Sequence, residues 1–392
     1  MRQTLFNRRA RGFSLIELLI ALILGLLVTG ALVQLFLANR LTYSVSDGLV
    51  RAQESARYSM ERLNRDLRMA GSAPMCSGAP VELNLIIDTS GADGDVADIV
   101  NAGGIMLFDY TNTGAGDTYA FPEYGPGNSN NWDHFDGSSL PPALAGRALA
   151  GTDVIALRTM EAVTGITGCT GSPPNNPNAS ALNVCPDDDP GGSVGSANTG
   201  VDQGTVVTAV DCTAGVGDIF VNNNNANASA FNRGQGNNHT GVRNRNVNWS
   251  HSYRENTEFY RSEVIYYFIG LSAGSTAARP RPALFRVRNC NAANAANCVF
   301  EELAEGVENL QVFVRTEGDN TFRDPRDNAI GDWSNVAAVE LNLVLVSPEE
   351  VDNKDLAQTI DLGNGLNVNV DDRRIRVVYS NTVAVRNRII VR

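Results

Sequence analysis

Gly270-Leu271-Ser272-Ala273-Gly274 sets a serine between two glycines just after an apolar run, the spacing that lifts a nucleophilic hydroxyl onto a strand-to-helix turn. That chemistry needs a helix directly after the turn and a histidine further along the chain. Here Arg279-Pro280-Arg281-Pro282 denies the helix and no histidine follows Ser272. The five residues read as a hairpin loop, and no catalytic residue is assigned. An anchored periplasmic hydrolase acting through Ser272 is the competing reading from another functional class. Asp93-Gly94-Asp95 with Asp98 would offer oxygen ligands to calcium, but the later bidentate glutamate of a full loop is missing. A solvated turn is expected there, and likewise at Asp319, Asp324 and Asp327. His134, His239 and His251 lie in polar stretches far from any cysteine, and no C-x-x-C occurs, so zinc gains no support. With no phosphate loop or dinucleotide fingerprint either, neither a metal nor a cofactor is expected.

The cysteines stand at 76, 169, 185, 212, 290 and 298, an even set with wide spacings that suits disulfides in an oxidising compartment if the chain is exported. The chain has 392 residues, 43% of them apolar, enough for a sizeable core. A net charge of −12 argues against a nucleic-acid partner, which needs a basic footprint.

Export is written into the N-terminus. MRQTLFNRRARG carries Arg2, Arg8, Arg9 and Arg11 and no acid. Residues 13–38 follow, in which Glu17 is the only ionisable side chain. About 20 apolar residues cross a bilayer core, and the arginines hold the leading end in the cytoplasm, so the expected topology is a single inner-membrane pass with the remainder periplasmic. A cleaved secretory signal would have an apolar region of about 7–15 residues and a small-x-small site after it, and neither is present. An uncleaved signal anchor fits the hydropathy but leaves Glu17 unexplained, because an acid inside an apolar helix is costly and usually functional.

Gly12-Phe13-Ser14-Leu15-Ile16-Glu17, between a basic leader and an apolar helix, resembles the signal of type IV pilins and type II secretion pseudopilins. The resemblance implies that a membrane prepilin peptidase cuts after Gly12 and methylates Phe13, and that Glu17 is the fifth mature residue. Cleavage would free an α-ammonium at Phe13 within about a helical turn of Glu17. Between packed helices a neighbour's ammonium would pair with Glu17 in apolar surroundings, setting the register of subunits. Major pilins usually carry a proline in this stretch. None lies between Phe13 and Ala73 here, so a continuous helix and a minor subunit are expected.

From residue 39 the sequence stays helical and becomes amphipathic. Leu41, Val45, Leu49, Ala52, Ala56, Met60, Leu63 and Leu67 recur at three- and four-residue steps. Glu61 with Arg65, and Arg62 with Asp66, are spaced to pair on the wet side. Gly71 and Pro74 stop a helix that would run over 13–70, about 87 Å long. Heptads with flanking charges are not sustained, so this half is expected to pack on its own molecule rather than in a coiled coil.

Beyond it, β-rich runs fall at 81–87, 104–110, 153–160, 205–210, 218–221, 262–269, 283–288, 307–316, 336–346 and 374–386, with 301–306 a short helix or turn. The fold class is α+β, one long helix on a mainly antiparallel head. The expected organisation is a leader 1–12, a membrane or filament-core helix 13–38, its amphipathic continuation 39–70, and a head 71–392. Insertions near 168–204 and 221–250 read as loops, the second with eleven asparagines in 221–250. Of the fifteen possible connectivities, the local choice staples Cys169 to Cys185 and Cys290 to Cys298, leaving Cys76 with Cys212.

The end of the helix, Asn64-Arg65-Asp66-Leu67-Arg68-Met69-Ala70-Gly71, is similar to that of the PilW family of minor pilins. So are Glu305-Gly306-Val307-Glu308-Asn309-Leu310-Gln311, Trp333-Ser334-Asn335-Val336 and Thr382-Val383-Ala384-Val385-Arg386-Asn387-Arg388. This resemblance implies assembly rather than catalysis. The expected partners are the prepilin peptidase, other minor pilins, the major pilin, a tip adhesin and the inner-membrane assembly platform. The expected role is priming the pilus and then standing in its tip complex. A minor pseudopilin of a type II secretion system is the alternative, although the pseudopilin sharing these features is typically much shorter.

Overall fold

The computed structural model describes residues 14–71, 75–76, 79–88, 104–114, 117, 119, 121–134, 140–171, 175–235, 243–288, 298–331, 333–351 and 355–385. Gly12, Phe13, the Asp93–Asp98 turn, His239 and Cys290 lie outside the described residues.

One helix, Leu15–Met69, runs unbroken for 55 residues, as a proline-free stretch of good helix formers should. Ser14 caps it, its hydroxyl accepting from the Glu17 amide at 3.2 Å. It ends where Ala70 turns extended and Gly71 adopts φ +65°. The Gly71 amide then donates to the Arg158 carbonyl at 3.0 Å. A Cβ at Gly104 would stand 2.4 Å from the Gly71 Cα, so only glycine lets the two backbones meet here.

Two main sheets carry the head, with the lower helix against both. The larger sheet runs in the order Glu82–Leu85, Val216–Val221, Val206–Asp211, Thr257–Leu271, Val154–Val163, Ile105–Tyr110, Trp132–Asp133. Its organiser is Thr257–Leu271, fifteen residues long, which pairs first with Val206–Asp211 and then, further along, with Pro282–Arg288. The smaller sheet is Val307–Thr316, Val336–Val346, Arg376–Ala384, all antiparallel. Leu310, Val312, Leu341, Leu343 and Val383 of this sheet share one core with Ile155, Leu157, Ile265 and Tyr267 of the larger one and with Leu63 and Leu67 of the helix. Asp153 ties the two sheets directly. Its amide donates to Leu310 O, and its carboxylate accepts from the amides of Val312 and Tyr110, all within 3.1 Å.

Each of the ten expected β runs contains a strand, but three readings need correction. Residues 301–306 are neither helix nor simple turn. Val299–Glu305 is a strand antiparallel to Pro282–Arg288, held by cross-strand ion pairs of Glu301 with Arg286 (2.5 Å) and Glu305 with Arg281 (3.7 Å). The insertions are more than loops. Ile166–Gly168, Ala181–Pro186 and Ala230–Asn232 form a third small sheet, and Phe231, Trp249 and Tyr253 bury against Val207, Phe220 and Phe259 of the larger one. Their asparagines replace missing strand partners: Asn244 both donates to and accepts from the backbone of Val221, and Asn222 donates to the carbonyls of Val201 and Asn224. Finally, the sequence reading placed no strand at Leu356–Gly363 and Leu366–Asp372, a hairpin whose Ile360, Leu362, Val368 and Val370 cover the outer face of the smaller sheet.

Disulfides join Cys76 to Cys212 and Cys169 to Cys185, and Cys298 is also disulfide-bonded. The first closes a loop of 136 residues between the helix exit and the larger sheet. Replacing Cys76 and Cys212 with serine should therefore lower stability by about 4–5 kcal/mol, read as the urea midpoint of the detergent-solubilised protein. A second test concerns Asp109, buried beside Asp153 and bonded to Arg326 at 2.5 Å. Burial raises its pKa to about 6, against the pull of Arg326. The folded chain thus holds a proton that the unfolded chain releases near 4, and stability falls as pH climbs from about 4 to about 6. Asp109→Asn should flatten that part of the midpoint-against-pH curve.

Candidate functional site

Between Leu15 and Leu37 sixteen large apolar side chains are exposed, Leu15 at 78% and Phe36 at 67%, and none of the most apolar window is buried. A soluble monomer rarely shows an apolar patch beyond a few hundred Å², so this cylinder requires lipid or other helices around it. By length and composition the helix can cross a membrane. Glu17 is exposed in its first turn, where the unpaired amides of a helix N-terminus favour a carboxylate.

What makes this surface usable is how firmly the other end of the helix is held. Burial starts at Gly48, whose Cβ position lies 3.2 Å from Ser347, and continues through Ala52, Ala56, Met60, Leu63 and Leu67. The expected stripe is therefore buried only in its lower part, and Leu41 is 38% exposed. Among the described residues the head does not reach further up. Small residues at 48, 52 and 56 let the helix approach closely before the leucines take over.

The charges of the helix behave differently from expectation. Arg62 and Asp66 lie 3.7 Å apart, but Asp66 is buried rather than on the wet side. Its carboxylate accepts a short hydrogen bond from the Tyr267 hydroxyl and lies 3.9 Å from Arg286, itself buried and paired with Glu301. Burial, then the bond to Asp66, push the Tyr267 phenol up, so it stays a donor. Among the described residues no ion pair joins Glu61 to Arg65. Asn381 donates to Asn64 at 2.7 Å, tying the same helix face to the smaller sheet.

The polar letters of the motif over 305–311 also have structural work. Gly306, at φ +88°, turns one strand into the next. Glu308 and Arg376 form a buried ion pair at 2.6 Å, joined by Asp372 at 2.7 Å and by the Tyr124 hydroxyl. Asn309 and Gln311 both donate to Gly151 O. Trp333 donates to Ile105 O at 2.7 Å. The sequence offered these residues by type, without the partners that lie tens of positions away.

Ser272 sits on the exposed turn between Thr257–Leu271 and Pro282–Arg288, its hydroxyl donating to the Glu302 carboxylate at 2.8 Å. The acceptor is a carboxylate rather than a histidine, and the turn leads into the strand Pro282–Arg288 rather than into a helix. Arg323 bonds both Asp319 and Asp327, while Asp324 accepts from Asn364 at 3.3 Å. His251 meets Asp211 at 3.1 Å, and His134 is buried edge-on against Trp333.

The helix clamp yields a direct test. Asp66→Ala leaves the Tyr267 hydroxyl without its acceptor and Arg62 and Arg286 without a nearby counter-charge and should cost about 3 kcal/mol, whereas Tyr267→Phe should cost about 1–2 kcal/mol. Both are read as shifts in urea midpoint at constant slope.

Comparison with known proteins gives two matches. Residues 7–33 match the prokaryotic N-terminal methylation motif, and residues 266–387 match the type IV pilus-assembly protein W family. No curated protein and no solved structure matches the chain. The second match spans the end of the organiser strand from Tyr266, the arginine-bearing strand Pro282–Arg288 beside Asp66, its neighbour Val299–Glu305 and the whole smaller sheet, which includes most of the part of the head that grips the helix. A methylation motif thus opens the exposed apolar helix, and the stretch that forms much of its clamp is similar to the type IV pilus-assembly protein W family.

Proposed function

We propose that this chain is a minor pilin that takes part in priming type IV pilus assembly and then stands in the tip complex, beside other minor pilins, the major pilin and a tip adhesin. The prepilin peptidase cuts between Gly12 and Phe13 and methylates Phe13. Loss of four leader arginines moves the side-chain charge from −12 to −16. Before assembly the apolar helix anchors the protein in the inner membrane, N-terminus cytoplasmic and head periplasmic, within reach of the assembly platform. The same surface then slides from lipid into the helical core of the fibre.

The observation that carries this reading is the bare apolar helix over 15–38, continuous with a half that is clamped into the head. Lipid and neighbouring pilin helices are equally apolar, so the transfer costs little in hydrophobic burial. Glu17 supplies the discrimination that apolar packing lacks. Its carboxylate is best placed where a neighbour's Phe13 ammonium arrives. The match over 266–387 favours the pilus over the type II secretion machine.

N-terminal mass spectrometry of the protein from its native membrane tests the reading. Wild type should begin at methylated Phe13 and Gly12→Ala should retain Met1. A Met1 start in both would make this a simple anchored protein. Glu17→Ala should be processed normally yet enter purified pili about tenfold less, the ratio corresponding to about 1.4 kcal/mol of lost pairing.

A further inference from the structure

The strand Arg376–Ala384 closes one end of the smaller sheet and, among the described residues, pairs only with Val336–Val346. The Val385 amide donates to Ala337 O at 2.9 Å. The register is uninterrupted and strands alternate with a period of two, so the amides of Val377, Tyr379, Asn381 and Val383 face inward. Those of Val378, Ser380 and Thr382 face away. The outward amide of Arg376 is satisfied by the Gln358 side chain, at 3.0 Å. Among the described residues nothing satisfies the other three, and Ser380 and Thr382 are exposed. A free edge of this kind is a template for another strand.

Beside that edge lies a groove of about 1130 Å³, walled on its other side by the helix and lined by Arg57, Arg65 and Arg68. All three arginines are exposed, and none has an ion-pair partner among the described residues. Arg68 also suits the helix C-terminus, but Arg57 stands three turns upstream, beyond that field. Glu54 and Glu61 share the groove and leave it net positive by one. The rest of the head is strongly the opposite. The leader carries +4, Glu17 −1 and residues 39–71 +2, so of the total −12 residues 72–392 carry −17.

We infer that this groove receives an extended, acidic segment of a neighbouring pilin-type subunit, which adds a strand to the outer edge of Arg376–Ala384 and brings carboxylates to Arg57, Arg65 and Arg68. The inference rests on the assembly reading above and deepens it. Helix packing alone fixes how subunits stack, whereas a strand added to the head fixes which subunit is the neighbour. It also lets acidic heads approach without unrelieved repulsion.

The test uses the full-length protein in its native membrane with the photo-crosslinker p-benzoylphenylalanine at position 380. On irradiation the cross-linked peptide should come from a second chain with a prepilin-type N-terminus and should be rich in Asp and Glu. Combining Arg57→Glu, Arg65→Glu and Arg68→Glu should lower the yield about tenfold, an effect of about 1.4 kcal/mol, with the melting temperature unchanged. Thr382→Pro, which deletes an outward amide and spares the inward ladder, should lower it similarly. A cross-link to lipid, to the same chain or to a basic segment overturns the inference, as does an unchanged yield after charge reversal. The same sample reports its N-terminus. A Met1 start sinks the assembly reading and this inference together, while a processed chain lacking the cross-link sinks this inference alone.

Discussion

The Asp66 carboxylate lies where the helix, the organiser strand and the arginine-bearing strand meet, with Tyr267, Arg286 and Arg62 turned toward it. A charge placed there is tolerable only because each neighbour answers it, and each answer fixes one element relative to the others. Apolar burial by Leu63 and Leu67 supplies adhesion but little registry, since an apolar stripe slides at small cost. The charge cluster supplies the registry. Everything above it depends on that point, because among the described residues the upper helix is packed against nothing and takes its direction from how the lower half is seated.

The head follows the same division between adhesion and registry. Between the two sheets the adhesive term is a layer of Val, Leu and Ile, and the registering term is Asp153, which accepts amides from both sides of the seam. Across the smaller sheet, Glu308 and Arg376 pin the last strand to the hairpin over 356–372 through Asp372. Burial alone would lower the Arg376 guanidinium. The hydrogen bonds it donates to Asp372 and the charge of Glu308 more than offset this and hold it protonated. On the far face the asparagines of the insertions act as pieces of backbone, satisfying strand edges that would otherwise be buried without partners. The family match falls where the grip on the helix is made, and the insertions over 168–204 and 221–250 lie outside it.

The anchoring helix and the ten main strand positions were legible because each depends on local periodicity: an apolar run without proline, a three-four repeat, an alternation of two. Local signals also misled. Val299–Glu305 is rich in glutamate and reads as helix until the arginines of the neighbouring strand are known. The hairpin over 356–372 has its one local sign at the turn. Asn364-Gly365, both at positive φ, is the two-residue turn that joins antiparallel strands. The insertions looked like loops because their apolar residues are sparse, which holds for a self-contained core but not for a layer that shares an existing one.

By itself the sequence determined an apolar helix long enough to cross a membrane and the place of Glu17 within it, since an uninterrupted apolar run with one acid is read from composition alone. It also determined that the lower helix has an apolar face. Only the tertiary structure decided that Asp66 is buried rather than wet, that Glu308 meets Arg376, and that the amides of Val378, Ser380 and Thr382 are left facing out. The reason is distance along the chain. Asp66 and Tyr267 are 201 residues apart, and Glu308 and Arg376 are 68 apart. No periodicity of one segment encodes what the fold will place against it.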